Sequence, residues 1–349
     1  MSKYTVFRTK NNSLSFLVDR KVVAVISTLA CITILLSFIS MGLGTTKVNM
    51  VEVIQSLFNK GTELQSLVIK IFRLPRIIIA LLVGSSLALS GAILQGIIRN
   101  PLASPDIIGI TGGASLGAVS FLAMYSDTNN NSLTVSINWL PAAAFLGASL
   151  IALLIYFVAW KNGVSPTRLI LIGIGVSAAM QALTTIMIVF GPLYLATQAT
   201  LWLTGSVYGS SWQYVNILLP WVIIIVPFVF ISARKLNIQE LGDEVSIGLG
   251  SKANKQRFIF LLMSTALAGG AVAFAGGISF VGLLAPHIAR KLVGSAFGAL
   301  LPASALIGGI IVLLADTVGR TAFLPLDIPA GVFTASIGAP YFIYLLYKK

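Results

Sequence analysis

Apolar segments long enough to cross a membrane recur along the whole of this chain. A helix needs about 20 apolar residues to span a bilayer. Only 9% of the 349 residues are charged and 57% are hydrophobic, whereas a water-soluble domain carries about 25% charged residues. We therefore predict an all-α integral membrane protein with about ten transmembrane helices. The predicted spans are residues 22–41, 77–98, 107–124, 139–160, 169–190, 216–232, 258–274, 278–293, 300–318 and 329–347.

Lysine and arginine are unevenly divided between the two ends of these predicted spans. With ten spans and the N-terminus inside, 17 of the 23 basic residues fall on the cytoplasmic side and 6 on the outer side. Cytoplasmic loops of membrane proteins collect Lys and Arg, so both termini are predicted to be cytoplasmic. The same rule accounts for the net charge of +13 without nucleic acid as a partner. We expect residues 1–21 to be a cytoplasmic tail and residues 22–349 the transmembrane domain.

Residues 234–257 form an unusually long hydrophilic loop between two predicted spans. Its acidic residues include Glu240, Asp243 and Glu244, and its apolar positions suit short amphipathic helices separated by glycines. An amphipathic pair on the cytoplasmic side is a typical docking site for a soluble partner. The alternative interpretation of this composition is a solvated connector.

The sequence lacks the residues that a catalytic, metal or ion-coupling site would need. It has no G-x-x-x-x-G-K-[ST] phosphate loop, and Cys31 and His287 are its single cysteine and histidine. Asp316 is the best candidate for a buried coupling carboxylate, but Arg320 follows one helical turn later, which favours an ion pair. We therefore predict no enzyme activity, no cofactor and no metal site. A transporter of this kind would need a separate ATPase.

Several long motifs carry a resemblance to a known family. They read RLPRIIIALLVGSSLALSGAILQGIIRNPLASP at 73–105, LGDEVSIGLG at 241–250, GGISFVGLLAPHIAR at 276–290, LLADTVGR at 313–320 and LPLDIPAGVFTASIGAPYFIYLL at 324–346. From residue 41 onwards the chain resembles the FecCD permeases of ABC importers, which include iron-siderophore, haem and vitamin B12 importers.

The resemblance implies a type II importer permease fold of ten helices in the cytoplasmic (inner) membrane. Two permeases would form the pathway above an ABC ATPase dimer, and a lipid-anchored or periplasmic binding protein would deliver the substrate. A heterodimer of related permeases is favoured over a homodimer, and a ferric siderophore is favoured as substrate. Haem or vitamin B12 import is the alternative within the family, and a stand-alone secondary transporter is the alternative from another class.

The resemblance also implies roles for particular residues. Arg73, Arg76 and Arg320 would form ion pairs with the binding protein. A short gating helix is expected within residues 192–211, and we interpret His287 as a structural residue at a helix start. The residues expected near the ATPase are Leu241, Gly242, Glu244, Gly248 and Gly250, and the candidate gate residues are Gln198, Thr200, Trp202 and Thr204.

Overall fold

The computed structural model describes residues 4–8, 15–127, 132–161, 165–191 and 193–347, and most of this part is α-helical. Two short antiparallel strand pairs lie outside the helices: Tyr4–Arg8 with Ser15–Asp19, and Ser126–Asp127 with Ser132–Leu133. The helices of the first half are α1 Arg20–Gly42, α2 Met50–Leu57, α3 Glu63–Ser66, a π-helical segment Leu67–Arg73, α4 Leu74–Ile98, α5 Ile110–Tyr125, a 3-10 turn Ile137–Trp139, α6 Leu140–Ala159 and α7 Pro166–Phe190.

The second half has the same helical character, with two short helices in the predicted hydrophilic loop. Its elements are α8 Leu193–Thr204, α9 Trp212–Ile231, α10 Ala233–Glu240, α11 Asp243–Gly248, α12 Ala253–Ala275, α13 Val281–Val293, α14 Phe297–Thr321 and α15 Ala330–Tyr347.

Seven helical segments of the described part are long and apolar enough to cross a membrane: Arg20–Gly42, Glu63–Ile98, Ile137–Ala159, Pro166–Phe190, Trp212–Ile231, Ala253–Ala275 and Phe297–Thr321. The helical membrane fold is thus confirmed. The other three predicted spans correspond to α5, α13 and α15, so a total of about ten stays a prediction. The chain is a multi-pass protein of the cytoplasmic membrane.

Helix α4 lies at the centre of the bundle, against α12, α13 and α14. A methyl group at Gly84 would overlap the carbonyl oxygen of Gly308 in α14, and one at Gly91 would overlap that of Gly282 in α13. Small residues allow helices to approach closely in lipid, where van der Waals contact drives association. A buried hydroxyl pair, Ser90 with Ser264 at 2.7 Å, links α4 to α12.

Replacing Gly91 by alanine is expected to destabilise the bundle by about 1–3 kcal/mol, because the added methyl overpacks the α4–α13 contact. Among the described residues outside the α7 backbone itself, no atom lies near the position of a methyl added at Gly175, so Gly175→Ala is the matched control. Thermal unfolding of the purified chain in detergent, followed by tryptophan fluorescence, measures the difference. Equal melting temperatures for the two variants would contradict the packing argument.

Candidate functional site

Arg76, in the first turn of α4, holds two carboxylates at the predicted outer end of the bundle. Its Nη2 lies 2.7 Å and its Nε 2.9 Å from Oδ1 of Asp316 in α14. Its Nη1 lies 2.8 Å from Oδ2 of Asp327, in the segment before α15. Such forked contacts between guanidinium and carboxylate are directional as well as strong. They join α4, α14 and the start of α15 at one point.

Arg73 and Arg320 bind the linker that follows α1. Arg73 donates hydrogen bonds to the carbonyl oxygens of Met41, at the end of α1, and of Thr46 in the linker, and Arg320 donates one to that of Leu43 at 2.7 Å. Arg320 also lies 3.6 Å from Asp316, one helical turn earlier. Both arginines are buried, with 7% and 9% of their surface exposed. Their hydrogen bonds fix the linker to the ends of α4 and α14.

The three arginines share the wall of one cavity of about 390 Å³. The carboxylates of Asp316 and Asp327 lie beside these three guanidinium groups. The three arginines and two aspartates together carry a formal charge of +1 (three minus two). The exposed ring of Tyr208 lies 5.4 Å from the guanidinium of Arg76. The structure confirms the predicted ion pair between Asp316 and Arg320, whereas the contacts of Arg76 with Asp316 and Asp327 were not predicted.

The hydrophilic loop folds into α10 and α11, which confirms the predicted pair of short helices. Gly242 lies between them at φ 108°, a conformation that favours glycine. Apolar side chains of this pair point to solvent: Leu241 is 62%, Ile247 63% and Leu249 62% exposed. The residues predicted near the ATPase, Leu241, Gly242, Glu244, Gly248 and Gly250, are exposed except for the half-buried Gly242.

Asp243 at the start of α11 ties the short helices α10 and α11 to two transmembrane helices. Its Oδ1 lies 3.0 Å from Arg99, directly after α4, and 2.7 Å from Arg257, near the start of α12. Only 2% of the Arg257 side chain is exposed. A buried charge is costly without a partner, so this contact fixes α11 in position. Sequence reasoning noted Asp243 only as one of several acidic residues in the loop.

A polar cavity of about 360 Å³ lies between α5 and α7. Asp106, in the loop before α5, accepts a hydrogen bond from Thr111 at 2.7 Å. Burial raises the pKa of the Asp106 carboxyl, and the hydrogen bonds from Thr111 and the Phe280 backbone N–H oppose this shift. The wall consists of Asp106, Thr111, Gly112, Ser115, Ser177, Gln181, Thr184, Thr185, Ile188, Leu203, Gly277 and Ser279.

Comparisons with known proteins identify the family to which the fold and the motifs belong. The FecCD transport family matches residues 32–348. This chain belongs to the FecCD transport family. A FecCD relative, the probable siderophore transport system permease protein YfhA of Bacillus subtilis, is 54% identical over 95% of this chain and 96% of its own.

Two further similarities support the FecCD assignment. The achromobactin transport system permease protein CbrC of Dickeya dadantii is 46% identical over 89% of this chain and 87% of its own. A solved structure described as an inward-facing, metal-chelate type ABC transporter superposes with a TM-score of 0.82 at 31% identity. The superposition covers 93% of this chain and 99% of the solved chain. The fold is therefore that of a metal-chelate ABC permease.

The expected short helix of this FecCD chain is present as α8. The four candidate gate residues lie on it but are not among the residues that line the polar cavity between α5 and α7. The residue that α8 contributes to this cavity is Leu203. The hydroxyls of Thr200 and Thr204 donate to carbonyls one turn earlier in α8. Trp202 packs against the hydrophobic core, and Gln198 is half-buried. Whether any of them gates the pathway stays a prediction.

The polar face of α7 could have been predicted from the spacing of its polar residues in the sequence. Ser177, Gln181, Thr184 and Thr185 follow the spacing i, i+4, i+7 and i+8, which places them on one face of a helix. A polar stripe of this kind inside a transmembrane helix indicates contact with water or another helix rather than lipid.

His287 requires a correction. The prediction put it at a helix start, but α13 begins at Val281, so His287 lies within the helix. Its ring packs edge-on against Tyr341 at 5.8 Å, and its Nε2 makes no hydrogen bond with the part of the chain that the structure describes.

Asp316→Asn is expected to destabilise the protein by about 3–5 kcal/mol, because it leaves the buried arginines without their shared counter-charge. Asp327 contacts the same Arg76 but is 28% exposed, so Asp327→Asn should cost less than about 1 kcal/mol. Denaturant unfolding in mixed micelles compares the two variants. A larger loss from Asp327→Asn would show that the cluster is not organised around Asp316.

Proposed function

We propose that this FecCD chain is the permease subunit of an ATP-driven importer of ferric siderophores. The proposed transport mechanism rests on one observation, the apolar surface that α10 and α11 expose. The substrate class follows from the names of its relatives, YfhA among them. Haem or vitamin B12 import by the same architecture is the alternative. A second permease, in a heterodimer rather than a homodimer, would complete the pathway.

The short helices α10 and α11, which we call the coupling helices, suit an ATPase as partner. Leu241, Ile247 and Leu249 would lose water-exposed apolar surface on docking, which favours association at about 25 cal/mol per Å². The ion pairs of Asp243 would carry a displacement of α11 to Arg99 and Arg257, and so to α4 and α12. The proposed mechanism is alternating access, in which ATP-driven closure of the ATPases moves these helices.

The outer arginine cluster is proposed to dock the binding protein, which would be a periplasmic protein or a lipoprotein. Arg73 and Arg320 bind linker carbonyls with some of their five N–H donors, and Arg76 lies beside the exposed Tyr208. Acidic groups of the partner would meet the excess positive charge of the cavity. Such rim pairs set orientation more than affinity.

The polar cavity between α5 and α7 is the proposed surface of the pathway. Hydroxyl and amide groups such as those of Ser115, Ser177 and Gln181 can exchange hydrogen bonds with a hydrated chelate as it passes. In a dimer each permease would contribute one such wall.

Two single cysteines in a Cys31→Ser background test both docking surfaces at once. Glu244→Cys on α11 is expected to crosslink to the ATPase, because the side chain is exposed on the coupling helices. Tyr208→Cys is expected to crosslink to the binding protein, since this side chain is 71% exposed at the arginine cluster. Each variant is the control for the other, and gel mobility shifts identify the adducts.

Crosslinks to the opposite partners would reverse the proposed orientation. If Glu244→Cys captures no ATPase while uptake of ferric siderophore continues without one, the chain is a secondary transporter. Uptake of haem or vitamin B12 in place of siderophore would overturn the substrate class alone.

Asp243→Asn is expected to reduce the stimulation of ATP hydrolysis by the loaded binding protein about fivefold or more, the range of ordinary allosteric coupling. The ATPase should still co-purify, because the exposed apolar residues are unchanged. Glu240→Gln is the matched control, since Glu240 lies 4.0 Å from its partner Arg290. Unchanged stimulation in Asp243→Asn would show that α4 and α12 are not driven through this carboxylate.

A further inference from the structure

A large cavity in the described part of the chain lies beside the coupling helices, and the proposed transport cycle assigns it no ligand. Its volume is about 780 Å³. It is formed where α6 ends, where α7 and α12 begin, and along α11, which contributes Ile247. The charge distribution puts this end of the bundle on the cytoplasmic side.

The wall of this cavity is strongly basic. Lys161, Arg168, Lys252 and Lys255 line it, and Asp243 is the acidic residue among them. Among the described residues, none of the four cations forms an ion pair with a carboxylate. Asp243 is already paired with two arginines on α4 and α12. The cavity therefore has an unbalanced positive charge that suits an anion.

Aromatic rings form the side of the cavity that continues into the membrane part. Tyr156 lies 4.7 Å from Phe258 and 5.6 Å from Trp160, measured between ring centroids. Trp160 is half exposed at 50%. Tyrosine and tryptophan are enriched at the level of lipid headgroups, so the ring cluster indicates that the cavity lies at the membrane surface.

An apolar groove continues from the basic cavity between α6 and α12. Phe258 lines both the cavity and this groove, whose volume is about 220 Å³. The groove walls include Ser149 and Leu153 on α6 and Leu262 and Ala266 on α12. A ligand that fills both spaces needs an anionic head and an apolar chain.

We propose that this combined site binds an anionic phospholipid of the inner leaflet. The phosphodiester lies among Lys161, Lys252 and Lys255, and one acyl chain lies in the groove between α6 and α12. Basic pockets between transmembrane helices on the cytoplasmic side bind acidic headgroups in this way. Because Ile247 and Asp243 line the same cavity, the bound lipid contacts the coupling helix α11.

Titration of the purified full-length chain with dioleoyl-phosphatidylglycerol, monitored by native mass spectrometry, tests this site. Dioleoyl-phosphatidylcholine is the neutral comparison. K252Q/K255Q is expected to weaken phosphatidylglycerol binding about 25-fold, since each lysine contributes about fivefold near an anionic headgroup. The matched control is R234Q/K235Q, which removes two exposed charges from α10 outside the cavity.

A second variant separates the lipid from a free phosphate. Ser149→Phe fills the groove without changing charge, and it should weaken phosphatidylglycerol binding while the chain keeps its melting temperature. Equal binding of both lipids, or an unchanged affinity in K252Q/K255Q, would overturn the proposal. So would competition by inorganic phosphate together with normal binding in Ser149→Phe. If K252Q/K255Q loses the ATPase but retains phosphatidylglycerol, the charges serve the partner and the lipid site is wrong.

Discussion

The close packing of α4 against its neighbours is the contact on which the remaining architecture depends. Gly84 and Gly91 let the backbones of α14 and α13 approach α4 without side chains between them. With 25 residues, the helix is about 37 Å long. Arg76 lies in its first turn and Arg99 directly after its last. A rigid helix thus connects the outer arginine cluster to the coupling helices.

The charged groups at the two ends of α4 follow one physical rule. Ions removed from water are tolerated when each has a partner of good geometry. Asp316 is the counter-charge of Arg76 and Arg320 at the predicted outer end. Asp243 is the counter-charge of Arg99 and Arg257 at the predicted inner end. The two clusters differ in exposure, because Asp316 is 1% and Asp243 42% exposed. The inner cluster is therefore more accessible to water than the outer one, although its Arg257 side chain is itself only 2% exposed.

Much of this arrangement could be predicted from local patterns. Hydropathy predicts the membrane helices, and the glycine-punctuated loop predicts α10 and α11. The direction of the helices, which follows from the charges, stays a prediction. The ion pair between Asp316 and Arg320 could be predicted from its spacing. The backbone carbonyls that Arg73 and Arg320 contact could not be predicted, because they lie at the end of α1 and in the linker after it, distant in the chain. Likewise, the contact between Asp243 and Arg99 spans 144 residues of sequence. His287 was misplaced because Pro286, a residue type common at helix starts, lies inside α13 instead.

The most direct test of the central claim is transport by a reconstituted complex. Proteoliposomes containing this chain, its partner permease and the ATPase would receive binding protein loaded with a radioactive ferric siderophore. The account predicts uptake that requires enclosed ATP and the ATPase and that stops when ATP hydrolysis is blocked. Uptake of the chelate at the same rate in liposomes that lack the ATPase would contradict it.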